Sequence, residues 1–137
     1  MFLLEDYIKA FRANSIKITP QRLAIFNLLV GNTSHPSADD LYKEVLKIQP
    51  SISFATVYNT LDKLVELGLL QKLDIDDEKK HYDPDLSIHH HFLCKACKQI
   101  IDIFENFNVN IQPASLNISS LESYQVNFYG KCENCSA

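Results

Sequence analysis

Residues Ser53 to Asp83 read SFATVYNTLDKLVELGLLQKLDIDDEKKHYD, and within them the hydrophobic period changes. Ser53 is a good helix N-cap, and Val57, Leu61, Leu64 and Val65 then recur at helical spacing up to Gly68, the residue best suited to a left-handed C-terminal position. Beyond Gly68, Leu69 to Asp74 and Lys80 to Asp83 read as two strands around the polar turn Asp76-Asp77-Glu78-Lys79. A helix that leads directly into a small hairpin is the second half of a winged helix.

The residues upstream supply its first half. Leu4, Tyr7, Ile8 and Phe11 recur at helical spacing and predict a first helix that frays near Asn14. Thr19-Pro20 reads as an N-cap with proline at the first helical position, and Leu23, Phe26, Leu29 and Val30 form the stripe of a second helix up to Gly31. Ser37 and Asp40 stand at capping-box spacing before Ala38, Leu41, Tyr42, Val45 and Leu46, the face of a third helix that Pro50 ends. Tyr42 and the phenylalanines are expected in the core, and His81 on the surface of the wing.

Past Pro84 the pattern turns to short strands, Phe92-Leu93, Ile100 to Phe104, and the alternating Tyr124, Val126 and Phe128. The expected organisation is α+β: an N-terminal winged-helix domain over 1–83 and a small C-terminal α/β domain over 84–137, held by a four-cysteine zinc site. Segment 105–120 supports two readings, an alternation at Phe107, Val109 and Ile111 and a short helix over Leu116 to Leu121 after Pro113.

Charge is divided along the chain. The 137 residues carry a formal net charge of -4. Residues 1–73 are close to neutral and 74–137 markedly acidic, so only the first half offers a face for phosphate. Glu5 and Asp6 follow the Met-Phe-Leu-Leu start, which is unlike a secretory leader, and no long apolar run occurs; the expectation is a soluble, cytoplasmic protein with no membrane partner.

Cys94/Cys97 and Cys132/Cys135 form two C-x-x-C pairs. Each two-residue spacer turns its thiolates toward a common point, and four sulfurs close a tetrahedral zinc site with no open position, which makes it structural. Redox pairs would need a βαβ context that this half lacks. In His89-His90-His91 a strand points His89 and His91 to one face and His90 to the other. Asp83, Asp102 and His35 are candidates to join His89 and His91 in a five-coordinate N/O site suited to Fe(II) or Mn(II), drawn from both halves of the chain.

Four motifs carry a resemblance over nearly the whole chain: Lys17-Ile-Thr-Pro-Gln-Arg22, His35-Pro-Ser-Ala-Asp-Asp-Leu-Tyr42, Ser53-Phe-Ala-Thr-Val-Tyr-Asn-Thr-Leu61, and His89-His-His-Phe-Leu-Cys-Lys-Ala-Cys97 with the distal Cys132/Cys135. The sequence resembles the ferric uptake regulator family. That resemblance implies a homodimeric, metal-dependent transcriptional repressor that grips both half-sites of a palindromic A/T-rich operator in double-stranded DNA. It implies one structural Zn(II) per chain at Cys94, Cys97, Cys132 and Cys135, and one regulatory Fe(II) or Mn(II) at His35, Asp83, His89, His91 and Asp102. Asp102, where iron sensors usually carry glutamate, and Tyr58-Asn59, where they carry Tyr-Arg, match the peroxide-sensing members. In those, peroxide oxidises a histidine ligand of the bound Fe(II), here His35 or His89, and the repressor leaves DNA.

The resemblance also orients the reading helix in the major groove, with Tyr58 against a thymine methyl and Asn59 on adenine or phosphate. Lys17 and Arg22 are placed for the minor groove or backbone, and Ser53 and Thr56 for phosphate. Three departures stand out: Lys98 where the family usually has glycine, Ile88 where an acidic residue or histidine is common, and the poorly matching 105–120. A reversible iron-, manganese- or zinc-responsive repressor of the same family is the alternative. A metalloenzyme acting on an organic substrate and a zinc-dependent interaction module are the readings from other classes, but no nucleophile elbow, phosphate loop or acid–base dyad occurs outside the proposed ligands.

Overall fold

A computed structural model describes residues 1–108 and 110–135. The chain divides into two units, Met1–Ser87 and Ile88–Ala137. Before that division the chain runs in successive Asx turns: the Asp83 carboxylate accepts from the Asp85 N–H at 2.9 Å, and that of Asp85 from the Ser87 N–H at 3.0 Å.

The first unit holds α1 (Leu4–Ala13), α2 (Pro20–Leu29), α3 (Ala38–Leu46) and α4 (Phe54–Glu66), then β1 (Gln71–Leu73) and β2 (His81–Asp83). Three of these helices start where the local sequence supplies a polar cap. Thr19 Oγ1 accepts from the Arg22 N–H at 3.2 Å with Pro20 at the first position, and Ser53 Oγ accepts from the Thr56 N–H at 3.1 Å. Ser37 and Asp40 close a reciprocal box, with distances of 3.2 and 2.9 Å. Gly68 ends α4 at a φ of +74°.

The helices bury Tyr7, Phe11, Ile25, Phe26, Leu29, Leu41, Val45, Val57, Leu61 and Leu64 in one cluster that also takes Tyr82 from β2. Phe26 is its hub, stacked on Tyr7 at 5.5 Å and edge-on to Phe11 at 4.9 Å. The strands are shorter than expected, pairing antiparallel over Gln71↔Asp83, Lys72↔Tyr82 and Leu73↔His81. Ile25, absent from the expected stripe, is fully buried because α2 is covered on more than one side.

In the second unit β3 (His90–Cys94) lies between β4 (Ile100–Ile103), antiparallel, and β5 (Asn127–Gly130), parallel. Segment 105–120 contains one 3-10 turn, Pro113–Leu116, and no helix over Leu116 to Leu121 among the described residues; Val109 lies outside them. A second 3-10 turn, Glu133–Cys135, ends the described chain. Among the described residues no helix is long and apolar enough to cross a membrane.

The turn from β3 to β4 contains Lys98 at a φ of +65°, with its N–H bonded to the Cys94 carbonyl at 2.8 Å. The left-handed penalty for an L-residue, roughly 1–2 kcal/mol, exceeds glycine's entropic cost of roughly 0.5–1 kcal/mol. Lys98→Gly is therefore expected to stabilise the second unit by about 0.5–1 kcal/mol. A rise in the thermal midpoint of the full chain checks this, and a fall would contradict it.

Candidate metal centre and nucleic-acid face

The end of β3, the turn after it and the last described turn bring the four cysteines together. Their sulfurs all lie within 4.8 Å of one another. Cys97 Sγ and Cys132 Sγ stand 3.7 Å apart. At ~2.3 Å from a zinc ion, the sulfurs of a regular tetrahedron are separated by about 3.8 Å, so this donor set fits that ion. Backbone N–H groups of Cys97 (3.5 Å) and Cys132 (3.3 Å) donate to Cys94 Sγ. These donors, that of Cys97 foremost, hold the Cys94 thiol down at about 6, whereas Cys132 and then Cys97 push Cys135 up to about 12. Four thiolates this close ionise together only around a cation.

The histidine and carboxylate candidates form one group in each unit. In the first, His35 Nε2 faces Asp83 Oδ2 at 3.5 Å, with both side chains 2% exposed. His35 precedes α3 with a φ of +52°, a conformation few non-glycine residues adopt. In the second, Asp102 Oδ1 receives His89 Nε2 at 3.2 Å and His91 Nε2 at 3.3 Å. The register His91↔Asp102 places that carboxylate on the neighbouring strand, on the same face of the sheet as His91. Donors ~2.0–2.2 Å from a first-row ion, at angles of roughly 90–120°, stand about 2.8–3.8 Å apart, and all three distances lie within that span.

As the strand alternation requires, His90 turns away from this group. Its Nδ1 accepts from the Val126 N–H at 3.0 Å, and its ring lies 4.6 Å from Phe107 and 5.5 Å from Tyr124. Gln125 Nε2 sits 3.0 Å from His91 Nδ1 and Phe104 stacks on His89 at 4.9 Å, so both ligand candidates have their rings oriented from behind. The sequence alone flags neither residue: Gln125 is 34 positions from His91 and reaches it only through the parallel pairing of β5.

Two expectations are overturned. Phe54, Phe104 and Phe128 are 41%, 60% and 39% exposed rather than core, because they stand at element ends or on an uncovered sheet. His81 is only 5% exposed, with Nδ1 2.7 Å from the His35 carbonyl and Nε2 3.1 Å from Asp76 Oδ2. Asp76, expected in a polar turn, is itself only 2% exposed. Period-two alternation carries the missing signal, since His81 shares a strand face with Asp83 and turns inward with it.

On the first unit's outer face, Arg22, Thr56 and Asn59 line one cleft of about 360 Å³ with Phe11, Ile16, Thr60 and Lys63. Lys17 enters through its backbone, its carbonyl accepting from Arg22 Nη1 at 2.6 Å, while its side chain is exposed. Tyr58 lies apart from that cleft: it is 38% exposed, stacks on Phe54 at 6.2 Å and has Lys72 Nζ 5.6 Å from its ring centre. Ser53 is exposed, and its hydroxyl is engaged with Thr56. Lys63, one turn beyond Asn59 on α4, is absent from the sequence-based contact set although helical period alone places it on that face.

The family model described as the ferric uptake regulator family matches residues 13–129. The chain is 31% identical over 134 residues to the peroxide-responsive repressor PerR of Staphylococcus saprophyticus, covering 96% of this chain and 90% of that protein. It is 32% identical over 135 residues to the peroxide operon regulator of Bacillus subtilis, covering 97% and 93%. The solved structure of the Campylobacter jejuni peroxide stress regulator aligns with a TM-score of 0.65 at 28% identity, covering 98% of this chain and 100% of that one. Sequence, fold and clustered donor groups agree: the chain belongs to the ferric uptake regulator family and is a metal-responsive transcription regulator, not an enzyme.

Proposed function

We propose that this chain acts in the cytoplasm as a homodimeric repressor that holds palindromic A/T-rich operators while a regulatory cation is bound and releases them when peroxide oxidises one of its histidines. The observation that carries this reading is the pair of imidazole–carboxylate groups, the buried His35 with Asp83, and the buried His89 and His91 with the partly buried Asp102, each with donors at ligand spacing. The two groups together supply five ligands for one Fe(II) or Mn(II) per chain. An ion shared in that way restrains the unit that carries α4 against the unit proposed to dimerise, and so fixes the separation of the two reading helices of a dimer. The winged-helix unit is the DNA-binding domain in this reading.

One structural Zn(II) per chain belongs at Cys94, Cys97, Cys132 and Cys135. It supplies the folding free energy that a three-stranded sheet with few buried apolar residues lacks.

On DNA, Asn59 and Tyr58 read base edges from α4 in the major groove, while Arg22, Lys17, Thr56 and Ser53 contact the backbone. Support comes from the shared cleft of Arg22, Thr56 and Asn59 and from the exposure of Tyr58.

Fe(II), when bound, would activate the peroxide; in the balanced reaction the ligand imidazole gives up two electrons, one oxygen atom of the peroxide is inserted into a ring C–H bond, the other leaves as water, and the iron ends as Fe(II). His35 and His89 are the proposed targets. The oxidised ring is a poorer donor, so the restraint is lost and the reading helices separate. The peroxide-responsive names of the relatives and Asp102 at the fifth ligand position support this over purely reversible metal sensing.

Cys97→Ser is expected to remove zinc and unfold the second unit, because structural zinc sites contribute roughly 10–16 kcal/mol of binding free energy. Metal analysis with circular dichroism reads this; a folded, zinc-free variant would refute the structural role.

Treating the Fe(II)-loaded chain with stoichiometric peroxide is expected to add one oxygen to the His35 or His89 peptide and to release a palindromic A/T-rich duplex. The Mn(II)-loaded chain should show neither effect. Asp102→Glu should keep metal-dependent DNA binding and oxidise more slowly. No oxygen gain in the iron sample would leave a reversible metal-responsive repressor, and unchanged oxidation in the variant would remove Asp102 as the basis for peroxide sensitivity.

A further inference from the structure

Strand β2 contributes more to the first histidine–carboxylate group than its aspartate. Its three residues each hold the segment that leads into α3. His81 Nδ1 donates to the His35 carbonyl at 2.7 Å. The Tyr82 N–H donates to the Pro36 carbonyl at 2.9 Å, and Ser37 forms an isolated antiparallel bridge with His81. Asp83 meets the His35 imidazole at 3.5 Å. The residue so gripped, His35, has a φ of +52° and precedes proline, a backbone that persists only where its surroundings over-determine it.

His81 differs from the other two holds, because it acts through a side chain that is fixed in turn. Its Nε2 lies 3.1 Å from Asp76 Oδ2, and the other Asp76 oxygen accepts from the Glu78 N–H at 3.0 Å, so the turn after β1 anchors the carboxylate. Both partners of His81 are oxygen acceptors, and the residue is only 5% exposed. A buried histidine with both nitrogens committed, and neither directed at a candidate ligand's side chain, is suited to positioning rather than coordination.

We propose that His81, held by Asp76, is a positioning residue for metal binding: it fixes the His35 carbonyl in the left-handed conformation and thereby aims the His35 imidazole at the cation shared with Asp83. This rests on the reading of His35 as a metal ligand. The contact runs through a backbone oxygen, so what His81 controls is the rotation of the whole His35 residue rather than the basicity of its ring. Outer groups that orient a ligand commonly contribute roughly 10–100-fold to metal affinity.

Two substitutions separate positioning from packing. In His81→Asn the side-chain amide occupies the Nδ1 position and keeps the bond to the His35 carbonyl while losing Asp76. In His81→Gln the amide extends to the Nε2 position, keeps Asp76 and loses the carbonyl. Both remove a buried ring, so both should lower the thermal midpoint of the metal-free, zinc-containing full chain to a similar degree.

The experiment is a Mn(II) titration of the full-length protein, the two variants and His35→Ala, read by the electron paramagnetic resonance of free Mn(II) and paired with the metal-free thermal midpoints. His81→Gln is expected to weaken Mn(II) binding roughly 10–100-fold, with His81→Asn losing distinctly less despite a comparable midpoint. Parental affinity in His81→Gln, or equal losses in the two variants, would overturn the positioning role. Parental affinity in His35→Ala would instead overturn the ligand reading on which it rests. Loss in His35→Ala with parental His81→Gln would reject positioning alone.

Discussion

Asp83 is 1% exposed and faces an imidazole, and Asp102 receives two imidazoles on one oxygen. Carboxylates taken out of water need compensating positive charge, and neutral imidazoles alone do not provide it. Much of the local architecture around these groups serves to hold acceptors and nitrogen donors at 3.2–3.5 Å with their rings fixed. Gln125 and Phe104 orient the histidines of the second unit, and the residues of β2 hold His35 in a conformation it would not otherwise keep. In the proposed function a divalent cation adds positive charge to both groups.

The cysteine cluster answers a different constraint. The sheet of the second unit is small, several of its apolar residues including Phe104, Phe128 and Tyr129 are exposed, and its buried apolar side chains are few. Four sulfurs within 4.8 Å of one another, one pair 3.7 Å apart, gather Cys94 and Cys97 at the end of β3 with Cys132 and Cys135 beyond β5, a set that a zinc ion would tie together. In the proposed function, separate structural and regulatory donor sets let the regulatory metal exchange while the structural zinc keeps the unit folded.

Features encoded within a few residues are legible in the sequence. Thr19-Pro20, the Ser37/Asp40 box, Ser53 and Gly68 announce helix ends, because their partners lie one turn away. The pointing of His89 and His91 to one side follows from strand geometry alone. His81 is misread when weighed as an isolated histidine in a polar hairpin, because its burial follows from the strand face it shares with Asp83. Gln125 has no local signal, since a parallel strand more than thirty residues away delivers it. Lys98 is visible as a departure from the family pattern, and the structure supplies its physical meaning in a left-handed backbone that glycine adopts more readily. Asn59 can be named from its motif, and helical period carries that reading one turn on to Lys63, which meets it in one cleft.

The central claim is that one cation takes ligands from both units, and anomalous diffraction from crystals of the Mn(II)-loaded, zinc-containing protein tests it most directly. The account expects one manganese peak per chain, about 2.0–2.2 Å from donor atoms of His35 and Asp83 and equally of His89, His91 and Asp102. A peak bound by one group alone, or separate peaks on each, would contradict it.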